Sequence, residues 1–399
     1  MLSNEATRAT TPAFTTVVPG LSVLRDVFVN LYYAFAADQP QGPWVLIDAG
    51  LPGSAGKITR HAEELFGVAT PPVAILLTHG HFDHVGGLHG LLDAWPDVPV
   101  YAHPLELPYL TGRSSYPPPD PTVGRGLLAY LSFAYPKKPY DFGARVQVLP
   151  PDGSVPGLPG WRWLPTPGHT FGHVSFFRQH DKALVAGDAF TTVFAESALG
   201  TLTQKQEVHG PPAYFTPDWD AARASMELLA RLEPEVAATG HGIAMHGEEL
   251  RRQLAAFVPR FDALARPSTG RYVRQPATAN GRGVTSVPPP LVQPWLKGLA
   301  AVGVAIGVLA LLVGRKKNRK NRGKIGRPHN KNKAGRHGPP AGTYRAAYRD
   351  SPAEYQAGNH ASYAPHLPQP PQHNRAPGES NGDHRYSEQQ TRKIGTQYP

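Results

Sequence analysis

Short apolar runs alternate with longer amphipathic stretches from Leu21 to about Arg266. The apolar runs are expected as strands at 22–29, 44–48, 73–77, 99–102, 145–149, 161–164, 174–178, 183–186 and 236–238. Helical spacing marks 53–66, 87–94, 217–232 and 247–265. Thr216 is placed to cap the third helix, with Pro217 at its first position and Pro234 beyond its end. Strands alternating with helices predict an α/β fold.

The stretch 104–144 breaks the alternation. Eight prolines stand among aromatics such as Tyr109, Tyr116, Phe133 and Tyr140. Two readings hold for it: a surface insertion packed by its own rings, or a lid that shapes a pocket. Residues 192–216 are read as an opposite wall. The organisation expected is a lead-in at 1–20, one domain at 21–266, a Pro/Gly-rich linker at 267–294, an apolar helix at 295–314 and a basic, disordered tail at 315–399. Residues 298–314 are uncharged and mostly apolar, at the short end of a bilayer span. Gly303 and Gly307 form a GxxxG pattern that suggests self-association in a membrane. The basic flank that follows predicts a cytoplasmic C-terminal side and contact with anionic lipid. Residues 1–20 carry no apolar stretch of the signal-peptide kind, so the pattern leaves the side of the domain open.

Charge sharpens this division. The stretch 315–399 has 17 Lys and Arg against 5 Asp and Glu, whereas 1–314 has 23 against 25. The basic character belongs to the tail, and a nucleic-acid partner is not expected of the domain. Cysteine is absent, so any metal must sit on His, Asp or Glu.

The chemistry concentrates at strand ends. Thr78-His79-Gly80-His81-Phe82-Asp83-His84 follows the apolar run 73–77. Neutral imidazoles and carboxylates are ligands for zinc and similar divalent ions. His79 and His81 alternate along an extended backbone and point the same way. Asp83 and His84 come a turn later and reach toward a second ion. A solvated His-rich loop would lack the flanking strand and the glycines. The same setting recurs at Gly168-His169, Gly187-Asp188 and Gly240-His241.

In that order these residues resemble the metallo-β-lactamase superfamily over roughly 20–265, with Ile47-Asp48-Ala49-Gly50 similar to its first motif. The resemblance implies an αββα sandwich with metals at one edge. It implies that His79, His81 and His169 hold one ion, that Asp83, His84 and His241 hold another, and that Asp188 bridges them. Asp83 and Asp188 would be the catalytic carboxylates. Asp48 and His173 would hydrogen-bond the ligand shell. The reaction implied is cleavage of a small-molecule ester, thioester or lactone by a metal-bridging hydroxide, in the glyoxalase II or lactonase-like branch. Two divalent ions are needed, with zinc expected and iron or manganese also suited to these ligands. The alternatives are a phosphodiesterase or nuclease of the same fold, and a membrane-anchored, non-catalytic metal-binding platform.

Overall fold

The computed structural model describes residues 15–124 and 126–291. Twelve strands form two sheets: β1 Thr15–Val18, β2 Leu21–Asp26, β3 Val29–Phe35, β4 Trp44–Ile47, β5 Ala74–Leu76, β6 Val100–Ala102, β7 Val146–Val148, β8 Trp161–Pro165, β9 Val174–Arg178, β10 Ala183–Gly187, β11 Val236–Thr239 and β12 Met245–His246. The first sheet runs β1-β2-β3-β4-β5-β6-β7, antiparallel up to β4 and parallel beyond it. The second runs β12-β11-β10-β9-β8, with only β10 and β11 parallel.

Side chains alternate across the strands and divide the core into layers. Val45 and Ile47 of β4 face the second sheet, where Trp163, Phe176, Val185 and Ala238 meet them. Trp44 and Leu46 face the other way, onto Ile58 and Phe66 of the helix Ala55–Phe66 and Leu91 of the helix Leu88–Ala94. On the far side, Phe177, Leu184 and Ala237 pack against Trp219, Met226 and Leu229 of the helix Trp219–Arg231 and Leu254 of the helix Gly247–Phe257. The result is the αββα sandwich. Strands covered on both faces need no polar alternation, and that is why they read as continuous apolar runs.

Four expectations change. The run 22–29 is not one strand: the chain turns at Val27 and Phe28, and β3 follows. Val27 makes that turn at φ 63, without Gly, Asn or Pro to mark it. The third helix is capped by Asp218, whose carboxylate accepts from the amides of Asp220 and Ala221, while Thr216 donates to the Pro212 carbonyl. The stretch 247–265 is broken after Phe257 into a 3-10 turn, Val258–Arg260, and a short helix, Phe261–Leu264. Pro259 has no amide hydrogen and cannot continue the ladder. The first part of the expected linker packs on the domain: β13 Thr278–Asn280 and β14 Gly283–Ser286 form a hairpin, and the Val284 amide donates to Ser114 Oγ at 3.2 Å. Tyr272 is buried there and donates to the Pro118 carbonyl at 2.6 Å.

No helix among the described residues is long and apolar enough to cross a membrane. The expected apolar helix at 295–314, with Gly303 and Gly307, and the basic tail at 315–399 lie outside the described residues.

Candidate metal centre

The site lies where β4, β5, β10 and β11 end. Asp48 follows β4 at φ 64, a left-handed conformation that Asp tolerates better than most side chains. The turn aims its carboxylate back at the next loop. There it accepts from the Thr78 amide at 2.8 Å and from Thr78 Oγ1, and it pairs with His84 Nδ1 at 2.8 Å. Because Asp48 occupies Nδ1, His84 presents Nε2 to the site. His241 is set the same way: its Nδ1 donates to the Phe28 carbonyl at 2.9 Å. That contact joins the β2–β3 turn of the first sheet to the end of β11. Asn30 strengthens the join, donating to the carbonyls of Thr239 and Gly242 at 2.9 and 2.7 Å.

The ligand candidates form three overlapping groups: His79, His81 and His169; His79, His84 and Asp188; Asp83, His84 and His241. Within each group the ligand atoms lie within 4.8 Å of one another, and all the side chains are buried. Thus all seven residues expected as ligands converge. Asp188 Oδ2 sits 3.2 Å from His241 Nε2, 3.4 Å from His169 Nε2 and 3.6 Å from His84 Nε2. His173 stands outside the three groups. Its Nε2 accepts the Asp188 amide at 2.9 Å, and its Nδ1 faces Thr166 Oγ1 at 2.8 Å. It therefore fixes the backbone at Asp188.

The imidazoles divide: burial opposes charge on His84 and His241 but Asp188 raises both, whereas the others are lowered. Burial and the neighbouring imidazoles hold His79 well below its usual range, and burial pushes His81 down to about 3. Both are therefore neutral, the form a metal takes. Burial also opposes charge on Asp188, but the imidazoles of His241 and His84 hold its carboxyl well below the carboxylate range. Burial raises Asp83. His79 Nε2, His84 Nε2, His169 Nδ1 and Asp188 Oδ1 are buried without a hydrogen-bond partner among the described residues. Such orphaned atoms are costly unless something else engages them. His84 Nε2 and His169 Nε2 lie 3.6 and 3.4 Å from Asp188 Oδ2, and crowded donor atoms of this kind are what divalent ions satisfy, so the residues fit the group.

Glycine makes the close approach possible. A Cβ on Gly240 would collide with Asp188 Oδ1 and lie 2.8 Å from His84 Cε1. Gly240→Ala is expected to lower kcat/KM about 100-fold, the usual effect of displacing a ligand by about an ångström. Steady-state rates and metal content per chain test this; wild-type values for both would mean that the loop has slack.

One buried carboxylate has no counterpart in the sequence expectations. Glu106 is fully buried and accepts the amides of Gly80 and Gly172, each at 2.9 Å, the Thr170 hydroxyl at 2.7 Å and the Tyr116 hydroxyl. It ties the His79–His84 loop to the His169 loop from within the Pro-rich insertion. The only sequence signal was a lone acid between Leu105 and Leu107, flanked by prolines.

Several curated proteins are similar to this chain in sequence. "Probable metallo-hydrolase YflN" from Bacillus subtilis (strain 168) is 49% identical over 245 residues, which cover 61% of this chain and 92% of that protein. A hydroxyacylglutathione hydrolase from Cronobacter sakazakii is 31% identical over 147 residues, 36% of this chain and 42% of that one. Among solved structures, the di-iron-bound form of TTHA1623 is 29% identical, with a TM-score of 0.38, covering 56% of this chain and 92% of its own. The metallo-beta-lactamase superfamily matches over residues 25–241. The chain belongs to that superfamily and is a metallo-hydrolase.

Proposed function

We propose that the chain is a binuclear hydrolase of a carbonyl ester, thioester or lactone, with zinc as the first candidate metal. The observation that carries the reading is the overlap of the three ligand groups: His81 and His169 on one side, Asp83 and His241 on the other, His79, His84 and Asp188 between. Two divalent ions bound there would acidify a shared water and polarise the scissile carbonyl. Asp188 would balance the charge of both ions. Asp83 would orient the water and take its proton. Hydrolysis forms a bond from the water oxygen to the carbonyl carbon and breaks the acyl–oxygen or acyl–sulfur bond, and the proton goes to the leaving atom. His173, Asp48 and the Phe28 carbonyl would keep the ligands aimed. The similarity to hydroxyacylglutathione hydrolases supports a thioester among the candidates.

The test is a set of initial rates with the full chain, zinc-loaded, on a thioester, a lactone, an aryl ester, a β-lactam and a bis-aryl phosphodiester. Chelator-sensitive turnover of a carbonyl substrate is expected. Turnover of the phosphodiester alone would overturn the reading.

Chelation has a second consequence. Ions that bind only the folded chain at about 100 times their Kd stabilise it by roughly 2.7 kcal/mol. Removing them is expected to lower Tm by about 5–10 °C, measured by calorimetry with and without chelator. An unchanged Tm would mean that the cluster holds itself together.

A further inference from the structure

Asp26 closes β2 and is buried, 5% exposed. Its carboxylate is engaged by the segment that follows β4. Oδ2 accepts from the Leu51 amide at 2.9 Å and from the Ser54 hydroxyl, and Oδ1 lies 3.5 Å from Lys57 Nζ. Ser54 stands at the N-cap of the helix Ala55–Phe66 but makes no cap bond with its side chain; the hydroxyl is given to Asp26 instead. The helix start forgoes a stabilising contact there, so the bond serves something other than the helix. Gly50 allows the approach: a Cβ on it would lie 2.9 Å from Asp26 Oδ2.

The two segments that Asp26 joins hold ligand candidates of the same group. On one side, Asp26 pairs with Val29 across the β2–β3 turn, and the Phe28 carbonyl in that turn accepts from His241 Nδ1. The Asn30 amide donates to the Gly240 carbonyl at 2.8 Å. Val27 keeps its left-handed φ of 63 there, which a β-branched side chain adopts only where its surroundings impose it. On the other side, Asp48 pairs with His84 Nδ1, and the Ala49 amide donates to the His84 carbonyl at 2.6 Å. The Gly86 amide donates to the Gly50 carbonyl at 2.8 Å. We propose that Asp26 is a positioning residue for the ion held by Asp83, His84 and His241: by fixing the β2–β3 turn against the segment after β4, it sets the separation of His84 and His241. The proposal rests on the two-ion reading. Glu106 has the corresponding place at the other end, where it accepts from groups beside His79, His81 and His169. His79 is reached from both ends, because Asp48 also bonds Thr78. Each ion position is thus braced by its own buried carboxylate.

Zinc titration of the full chain against a chromophoric chelator tests this through a double-mutant cycle. Asp26→Ala is introduced into two backgrounds: His169→Ala, which keeps Asp83, His84 and His241, and His241→Ala, which keeps His79, His81 and His169. In the first, the remaining ion is expected to bind about tenfold more weakly without Asp26, the low end of what groups that orient ligands contribute. In the second, affinity should stay within about twofold, the scatter of independent sites. Equal losses in both backgrounds would limit Asp26 to folding, and no loss in either would overturn the proposal. Asp26→Asn keeps an acceptor for Leu51 and Ser54 and should restore affinity in the first background. Asp26→Ala leaves a buried amide and hydroxyl unpaired, so its Tm should fall. Leu254→Ala, cut from the core on the far side of the second sheet, supplies a destabilised control that should leave zinc affinity unchanged. An equal loss from that control would assign the effect to stability. Where Asp26→Ala does not fold, Ser54→Ala removes one of the two Oδ2 donors and should weaken the first background about threefold; wild-type affinity there would overturn the proposal. If the wild-type chain binds a single zinc that His241→Ala retains, both the two-ion reading and this proposal fall. If His241→Ala loses that single zinc, only the two-ion reading falls, and Asp26→Ala must then weaken the ion in the wild-type chain.

Discussion

Asp188→Asn is expected to lower kcat/KM by about 1,000-fold, equivalent to roughly 4 kcal/mol of transition-state stabilisation. The substitution keeps the shape and removes the charge. One oxygen of Asp188 lies within 3.6 Å of three imidazoles drawn from both sides of the cluster. An amide there cannot balance two dications, and its NH2 would turn donors toward them. The backbone anchor on His173 does not involve the side chain, so the fold should persist. Metal analysis should give about one ion per chain instead of two. Two retained ions with activity within tenfold of wild type would remove Asp188 from the bridging position.

Glu106→Leu is expected to lose about 4 kcal/mol of stability, a Tm decrease of roughly 8–16 °C. The loss comes from four donors left facing an apolar side chain: two amides, Thr170 and Tyr116. Burial raises the Glu106 carboxyl, but those same four donors oppose it. The charged form has an acceptor site for each of them. Glu106→Gln should lie between, because its NH2 meets donors on one side. A structural role alone would end there. Because the amides belong to the two loops that carry ligand candidates, metal affinity should also fall about 10–100-fold, as for other groups that orient ligands. Glu106→Gln at saturating zinc should recover most of kcat, since the ions then impose the geometry. Thermal melts, zinc titration and rates at two zinc concentrations separate these effects. Wild-type affinity in a destabilised Glu106→Gln variant would limit the residue to folding.

What could be read from the chain depended on whether the cause was local. The strand-end loops were legible because a metal loop needs an apolar strand, a sharp bend and ligands within a few residues. His79, His81, Asp83 and His84 all satisfy that. His169, Asp188 and His241 have the same local setting, and the family resemblance supplied their order. β3 was not legible as a strand distinct from β2. It is buried on nearly every position and follows a turn made by valine, so neither alternation nor turn chemistry separates it. The helix start moved from Thr216 to Asp218 because two side chains within three residues could cap, and the Pro212 carbonyl claimed one. Glu106 was hidden for a different reason. Its partners stand 10, 26, 64 and 66 residues away, and no local pattern reports such distances.

The ligands are divided between the two sheets in chain order. His79, His81, Asp83 and His84 belong to the first sheet, and His169, Asp188 and His241 to the second. A chain emerging from the ribosome therefore exposes its histidine-rich loop long before the residues that complete either ion position. Until His241 has arrived and the second sheet has closed on the first, any captured ion has an incomplete shell and exchanges freely with the surrounding pool. The choice among metals is thus deferred to the closed sandwich, where the spacing of seven fixed side chains makes it.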